Sequence, residues 1–374
     1  MATNTASQQT PAQVNASVVA ALTGSPYIRH YIKKIGTYAG AAGGEVQILP
    51  NKTGFITGFF VKATYTVNNA GSAAVDALPD AAYKLIQRLQ YIGFSGSTRH
   101  DTSLLEMVNL LNFRTGGTIG QSLTPNVPMS QNTSIIANPA SVPATGSANG
   151  EFWFYIPIAD PKSPALMGLE FAQFQKAQAS INLQVASNAQ ASTDDPFVGM
   201  YNGAVTLTNI NFDVFQAYFS GQLPTSNGAV VLPPQSTAVS YSIISGVVPN
   251  QLVASQISRD FLDQNYTYLS YGLLYNNGAK FNGASALSGS RDIEKIGLYV
   301  ETDTPIHEYD PALLVAQNRS MLKDGNSMDG LYILDLYSRP VQASQYGQYN
   351  VGIMPITVAS GAYVRRTLEV YRSI

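Results

Sequence analysis

One supersecondary pattern occurs twice in this chain. Each half of the sequence carries alternating apolar strands, then one short capped helix, then more strands. The first predicted helix follows Thr102, where Ser103 and Glu106 have the spacing of a capping box. The second begins at Asp310 and Pro311, a carboxylate N-cap followed by a proline at the first helical position. The repeat predicts a duplicated β-sandwich, an all-β architecture that suits a building block better than an enzyme.

The composition suits repeated contacts between copies of the chain. Only 12% of the 374 residues are charged, about half the usual ~25%, so Asn, Gln, Ser and Thr must form most of the polar surface. A weakly charged surface allows copies to lie edge to edge without strong repulsion or costly desolvation of ions. The length is sufficient for two domains, each with its own core.

Charge and cysteine content exclude several classes of protein. The 21 Lys and Arg residues face 23 Asp and Glu residues, so we expect no direct contact with nucleic acid. The chain has no cysteine, which excludes disulfides and Cys-ligated metal sites. No apolar run approaches the ~18 residues of a membrane span, and no charged side chain precedes Arg29, so a basic signal region is missing. We expect the protein to be made in the cytoplasm.

Signatures of catalysis are missing from the sequence. The three histidines, His30, His100 and His307, do not have metal-ligand spacing, and no nucleophile elbow or Walker A sequence occurs. We therefore expect no catalytic residues, no cofactor and no metal site. A glycosidase pair of distant carboxylates stays open, because any two of the 23 acids would suffice.

Alternation of apolar and polar residues predicts strands with one buried face. The clearest run extends from Phe59 to Val67, where every second residue is apolar and directed to the core. A second strand is expected to bury Leu89 and to direct Lys84 and Arg88 to the opposite face. The only tryptophan, Trp153, lies in a segment that is apolar on both faces, and we expect it to fill the core.

Composition also divides the chain into four parts. Residues 1–44 are predicted to form an N-terminal arm or helix, 45–220 the first domain, 221–240 a Pro-rich connection and 241–374 the second domain. Within the first domain, 118–150 is predicted to be a long loop, which in a compact domain is usually exposed or functional.

Basic and aromatic residues are interleaved at 27–34. Arg29, Lys33 and Lys34 favour contact with an anionic surface such as lipid headgroups. The alternative is a solvated face of a strand or helix whose lysines extend into water.

The chain also carries short motifs spread over residues 46–371. They are 58–62 (GFFVK), 85–88 (LIQR), 99–100 (RH), 222–224 (QLP), 231–233 (VLP), 275–278 (YNNG), 281–282 (FN), 310–311 (DP), 316–319 (AQNR), 330–332 (GLY), 339–340 (RP), 345–347 (QYG) and 350–352 (NVG). In order and spacing they resemble those of the major capsid proteins of tailless bacteriophages with an internal membrane, the tectivirus-like double jelly-roll family. The C-terminal motifs are the most specific.

The resemblance implies a fold and a function. The fold is two eight-stranded jelly rolls side by side, each with a short helix in one long connection. The function is that of a structural major capsid protein, whose pseudo-hexagonal homotrimers tile an icosahedral shell around an internal lipid membrane. The implied location is the virion, with the N-terminal segment on the inner face. The implied partners are neighbouring trimers, vertex and minor capsid proteins, and the membrane lipids.

Two other functions fit a β-sandwich of this size. A secreted carbohydrate-binding or glycoside-cleaving protein would need a cleft lined by aromatic residues and a secretion signal, and the missing signal counts against it. A receptor-binding spike would not need two similar domains.

Overall fold

The computed structural model describes residues 30–78, 80–115, 136–137, 139–163, 166–172, 175, 177–193, 195, 197–219, 239–248, 251–276, 292–301, 304–321, 330–342 and 348–373. Within these residues, most of the chain forms β-strands, and helices lie in the connections between them.

Twelve strands precede residue 220 in the described part of the chain. They are β1 (His30–Gly40), β2 (Glu45–Ile48), β3 (Phe55–Asn69), β4 (Val75–Asp76), β5 (Ile86–Ile92), β6 (Thr98–Thr102), β7 (Ile136–Ala137), β8 (Ser141–Val142), β9 (Gly146–Pro157), β10 (Glu170–Phe171), β11 (Ser180–Val185) and β12 (Thr206–Phe219). Helix α1 (Leu104–Thr115) follows β6, and the short helix α2 (Asn188–Ala191) follows β11.

Eight of these strands form the first barrel. One sheet has the order β1-β12-β3-β9 and the other the order β2-β11-β5-β6, with antiparallel neighbours throughout. Counted along the chain, the first, eighth, third and sixth strands make one sheet, and the second, seventh, fourth and fifth make the other. This is the strand order of a jelly roll.

The second barrel repeats this order. Its strands are β13 (Val239–Val247), β14 (Ser258–Phe261), β15 (Tyr266–Asn276), β16 (Ile293–Val300), β17 (Thr304–Tyr309), β18 (Leu331–Asp335), β19 (Val341–Gln342), β20 (Tyr349–Pro355) and β21 (Tyr363–Ser373), and helix α3 (Pro311–Met321) follows β17. The two sheets are β13-β21-β15-β18 and β14-β20-β16-β17. The predicted fold of two jelly rolls, each with a helix in the connection between its fifth and sixth strands, is confirmed.

One block of the repeat keeps its spacing without insertion or deletion. The number of residues from the start of β5 at Ile86 to the start of α1 at Leu104 equals the number from the start of β16 at Ile293 to the start of α3 at Pro311. His100 lies opposite Tyr91, and His307 lies opposite Leu298, with a shift of register next to each pair. The blocks β5–β6–α1 and β16–β17–α3 are therefore equivalent residue by residue.

The core of the first barrel extends beyond that barrel, whereas the interior of the second barrel forms a cluster of its own. Phe59 and the other predicted apolar residues of β3 are buried inside the first barrel, as their alternation indicated. The same hydrophobic cluster continues through α1 to residues on the outer side of the second barrel, including Tyr241, Ile243, Leu274 and Ile333. Since apolar burial is the main stabilising contribution to folding, the contact between the barrels is part of the folded core.

Four details differ from the sequence-based expectations. The first sheet begins with β1, ahead of the predicted boundary at 45, because β1 pairs with β12 along almost its whole length. Lys84 is buried rather than exposed, and this burial lowers its pKa to about 8 against the opposing effect of Asp80 and Asp195. Residues 146–150 belong to β9 rather than to a loop.

The fourth difference concerns Trp153. It lies on the outer side of its sheet, beside Phe215, whereas its neighbours Phe152 and Phe154 point into the core. The expectation that Trp153 fills the core is wrong.

Candidate functional site

Helix α1 fills the space between the two barrels. Its first turn carries the predicted capping box: the Glu106 amide donates to Ser103 Oγ at 3.2 Å, and the Ser103 amide donates to Glu106 Oε2 at 3.3 Å. Residues 104–114 are all buried, because one barrel lies on each side of the helix. A helix that is apolar around most of its surface is stable only when it is enclosed in this way.

Two charged residues of α1 are paired with the last strand of the second barrel. Arg365 donates from Nε and Nη2 to the Glu106 carboxylate at 2.7 and 2.9 Å. About two turns further along the same side of the helix, the Arg114 Nε lies 2.8 Å from Glu369 Oε2. Each pair joins α1 to β21, so the two barrels are linked by charge as well as by apolar contact.

The carboxylate of Glu369 has further donors around it. Tyr241 Oη donates to Oε1 at 2.8 Å and Ser270 Oγ donates to Oε2 at 2.7 Å. Burial raises the pKa of Glu369 above the usual value of a carboxyl group, and Arg114 opposes that shift. These contacts satisfy a carboxylate that has no access to water.

His100 makes a second link between the barrels. Its Nδ1 accepts a hydrogen bond from the amide of Ile243 in β13 at 3.0 Å, and its Nε2 lies 2.5 Å from the carbonyl oxygen of Pro157. The ring is therefore neutral, with the proton on Nε2. Burial is the main reason that the pKa of His100 falls to about 3.

Next to His100, the two barrels share a sheet. Ile244 of β13 pairs with Asp101 of β6 in parallel, so the sheet β2-β11-β5-β6 of the first barrel continues into β13-β21-β15-β18 of the second. Thr102 Oγ1 and Ser245 Oγ are 2.5 Å apart beside this pair. We call these contacts, together with those of α1, the intrachain joint.

The first barrel has one face on which, among the described residues, no helix lies in the way that α1 lies on the second barrel. This outer sheet face is the side of β1-β12-β3-β9 directed away from the core. Aromatic residues cover part of it: the Phe60 and Tyr155 rings are 4.7 Å apart, and those of Trp153 and Phe215 are 5.5 Å apart. All four side chains are partly exposed.

Ion pairs border the aromatic residues of the outer sheet face. Lys34 Nζ lies 2.6 Å from Asp213 Oδ1, and Lys62 Nζ lies 2.9 Å from Glu151 Oε1. Because each cation is matched by an acid on the neighbouring strand, the face carries little net charge. Such a surface, apolar in part and neutral overall, suits contact with another protein surface.

The structure describes two of the three predicted headgroup-binding residues, and their surroundings differ. Arg29 lies outside the described residues. Lys33 and Lys34 are consecutive in β1 and exposed, but Lys34 is held by Asp213 whereas Lys33 extends into solvent. Sequence reasoning missed the Asp213 partner, because it lies on a strand far along the chain.

Exposed apolar side chains accompany Lys33 at one end of the molecule. Both barrels begin and end at this end, since β1 starts beside the last residues of β12, and β13 starts beside the last residues of β21. Tyr31, Ile32 and Leu49 of the first barrel and Phe261 of the second are 41%, 57%, 50% and 45% exposed there. We call it the terminal end.

The described residues contain no group of three or more His, Asp or Glu side chains placed to hold a metal ion. No helix among them is both long enough and apolar enough to cross a bilayer.

Comparison with known proteins identifies the family. Residues 2–222 match the family model described as "P3 major capsid protein N-terminal". The chain belongs to this capsid protein family. It is 24% identical over 344 residues to the major capsid protein P3 of Enterobacteria phage PRD1, an alignment that covers 87% of this chain and 83% of that protein. The protein is thus a structural major capsid protein located in the virion shell.

Solved structures confirm the double jelly-roll fold of the capsid protein. A chain in the atomic structure of Sulfolobus Turreted Icosahedral Virus matches with a TM-score of 0.65 at 17% identity, covering 92% of this chain and 91% of that one. The major capsid protein P2 from Bacteriophage PM2 matches with a TM-score of 0.50 at 8% identity, covering 92% of this chain and 97% of that one.

Proposed function

We propose that three copies of this chain form a ring of six barrels, a homotrimer with a pseudo-hexagonal outline. The observation that carries the proposal is the intrachain joint, which connects unlike faces of two similar barrels. A head-to-tail joint of this kind leaves one face free on each barrel, and copies of the same joint close into a ring when the rotation allows it. Six equivalent barrels give the hexagonal outline that tiles a closed shell.

In the proposed shell, the terminal end of the trimer faces an internal membrane. Support comes from the exposed apolar side chains at this end and from Lys33, which extends from β1 beside Ile32. An apolar side chain next to a cation is the arrangement that suits the boundary between acyl chains and anionic headgroups. Arg29, Lys33 and Lys34 remain the proposed headgroup contacts. Of the two described lysines, Lys33 is the less constrained, because Lys34 is paired with Asp213.

The other partners follow from the same role. Neighbouring trimers contact the sides of the ring, and vertex and minor capsid proteins fill positions that trimers cannot. With a net charge of -2, the shell protein holds no nucleic acid directly, because the membrane lies between the shell and the genome. The role is structural and requires no catalysis.

The solution mass tests the trimer. Light scattering of the purified protein should give three times the 40.0 kDa chain mass, and negative-stain images of the same sample should show compact hexagonal projections. A monomer at the concentrations used for assembly would contradict the proposal.

Charge reversal tests the membrane contact. The variant Arg29→Glu/Lys33→Glu/Lys34→Glu should lower the yield of membrane-containing particles, while Arg29→Lys/Lys33→Arg/Lys34→Arg, which keeps the charges, should assemble normally. Because Lys34 is paired with Asp213, the double variant Arg29→Glu/Lys33→Glu separates lipid contact from loss of that pair. An undiminished particle yield from the double and triple variants would reject the membrane role.

A further inference from the structure

The block that makes the intrachain joint occurs a second time, on the surface of the second barrel. In β16, β17 and α3 it repeats β5, β6 and α1 with identical spacing, and Asp310 caps α3 where Ser103 caps α1. Counted from these caps, four positions of α1 that face the second barrel have equivalents in α3. Glu106, Asn109, Leu110 and Arg114 correspond to Leu313, Ala316, Gln317 and Met321.

In α1, these positions are all engaged. Glu106 and Arg114 are paired with β21, and Asn109 and Leu110 face residues of β15, β18 and β21 across a small pocket. They form one stripe along the helix, because residues three and four apart lie on the same side.

In α3, the same stripe is open to solvent. Leu313 is 56% exposed and Met321 is 45% exposed. The helix is held in this rotation by Asn318, whose side chain exchanges two hydrogen bonds with the backbone of Ile333, at 2.8 and 2.9 Å. The exposed stripe is therefore a fixed surface of the second barrel.

The chemistry of the stripe differs between the helices. Where α1 carries Glu106 and Arg114, α3 carries the apolar residues Leu313 and Met321. A surface that receives α3 consequently needs no counterparts of Arg365 and Glu369, and it should be apolar instead.

The outer sheet face of the first barrel meets this requirement. In the first barrel, β12, β3 and β9 hold the positions that β21, β15 and β18 hold in the second, where α1 binds. In place of the charged pairs, the outer sheet face presents Phe60, Trp153, Tyr155 and Phe215. Within one chain, the outer sheet face lies on the first barrel and the α3 stripe on the second. Among the described residues, both are open to contact with another copy.

The strand edges beside these surfaces are equivalent too. In the intrachain joint, β6 lies beside β13 and His100 accepts a backbone hydrogen bond from it. The equivalent strands are β17, which carries the exposed His307, and β1. Among the described residues, β17 and β1 each have a strand partner on one edge only.

We infer that the subunit contact of this capsid protein is an apolar copy of its intrachain joint: the Leu313–Met321 stripe of one copy docks on the outer sheet face of the next. At the same contact, β17 lies along β1, and His307 accepts a backbone hydrogen bond as His100 does. The inference rests on the proposed trimer and names the two surfaces that form it.

Charges placed on the stripe test the contact. Leu313→Glu/Met321→Glu should weaken association roughly hundredfold, because two buried contact residues would carry unpaired carboxylates. The matched control Val253→Glu/Ile356→Glu changes two residues of similar exposure, 41% and 39%, outside both surfaces, and should leave the trimer intact. A trimeric Leu313→Glu/Met321→Glu protein would overturn the inference alone, whereas a monomeric wild type would overturn the proposed trimer as well.

A cross-link locates the contact independently of stability. The chain has no cysteine, so Met321→Cys takes a maleimide-benzophenone label at a single position. In a trimer mixed from isotopically light and heavy chains, irradiation should join the label to a peptide of β3, β9 or β12 in another copy. Cross-links between copies that fall elsewhere would contradict the inference.

Discussion

Arg114 of α1 and Glu369 of β21 form an ion pair at 2.8 Å, although 255 residues separate them along the chain. The side chains are 1% and 0% exposed. The guanidinium also lies 3.9 Å from the centre of the Tyr337 ring. A charge in this position is stable only while its partner is present, which makes the two barrels depend on each other for folding.

Removal of one partner should therefore cost more than removal of both. Arg114→Met should lower the free energy of unfolding by about 3–5 kcal/mol, because it leaves the Glu369 charge buried without its cation. Arg114→Met/Glu369→Gln should recover part of that loss. Urea unfolding of the two variants and of Glu369→Gln gives the coupling between the residues, and additive losses would contradict the dependence.

The exposed pair of Arg88 and Asp101 is a control. Its atoms are 2.7 Å apart, a similar distance, but the side chains are 59% and 33% exposed. Arg88→Met should cost no more than about 1 kcal/mol, because solvent screens a surface pair.

His100 should make the joint sensitive to acid. The pKa of His100 is about 3 in the folded protein, against ~6.5 in an unfolded chain. Between these two pH values the ring is protonated in the unfolded chain but neutral in the folded protein. The stability contributed by the neutral His100 ring is complete above pH 6.5 and is lost as the pH falls from 6.5 towards 3.

In His100→Gln, the slope of unfolding free energy against pH between 6 and 4 should be smaller by about 1.4 kcal/mol per unit. Gln keeps both a donor and an acceptor for Pro157 and Ile243, so the hydrogen bonds can be retained without the titration. Equal slopes in wild type and variant, measured by urea unfolding at several pH values, would show that His100 is not the sensing group.

The elements that sequence predicted best are those with a local physical signal. The capping residues Ser103 and Asp310 marked both helices, and alternation from Phe59 to Val67 marked the buried face of β3. These signals depend on neighbours within a few residues, so a single sequence contains them.

The features that sequence did not predict depend on distant parts of the chain. The sequence predicts an arm where the structure has β1, because β1 is an edge strand with exposed residues on both sides and lacks an alternating pattern. In β9, aromatic residues occupy both faces, so periodicity cannot tell whether Trp153 or Phe154 points to the core. The ion pairs of the joint bring together residues from different barrels, and no spacing rule identifies them.

Gly168 is required where the first barrel approaches β13. Its φ is +87°, and a Cβ there would lie 2.5 Å from Tyr241 Cβ and 2.7 Å from the Tyr241 amide nitrogen. Gly96 has a similar φ of +81°, but a Cβ there would meet no atom within 4 Å.

The two glycines form a matched pair for mutation. Gly96→Ala should cost about 1–2 kcal/mol, the usual strain of a left-handed conformation. Gly168→Ala should cost about 1–3 kcal/mol more, because the methyl group also forces Tyr241 and β13 away from the first barrel. Urea unfolding of both variants measures the difference, and equal losses would show that the approach of the barrels tolerates a methyl group.

Substitution of His307 can distinguish a specific loss of the proposed subunit contact from a general loss of folding stability. His307→Ala removes the acceptor that would bind the backbone of β1 in the next copy, and should weaken the trimer roughly threefold to tenfold, as expected for one hydrogen bond. His307→Asn places an oxygen near the position of Nδ1 and should restore most of the association. Sedimentation equilibrium gives the dissociation constants. Because His307 is exposed in a single chain, unfolding of the isolated chain should be the same in wild type and both variants. If Ala and Asn associate alike, the equivalence of His307 with His100 does not extend to the subunit contact.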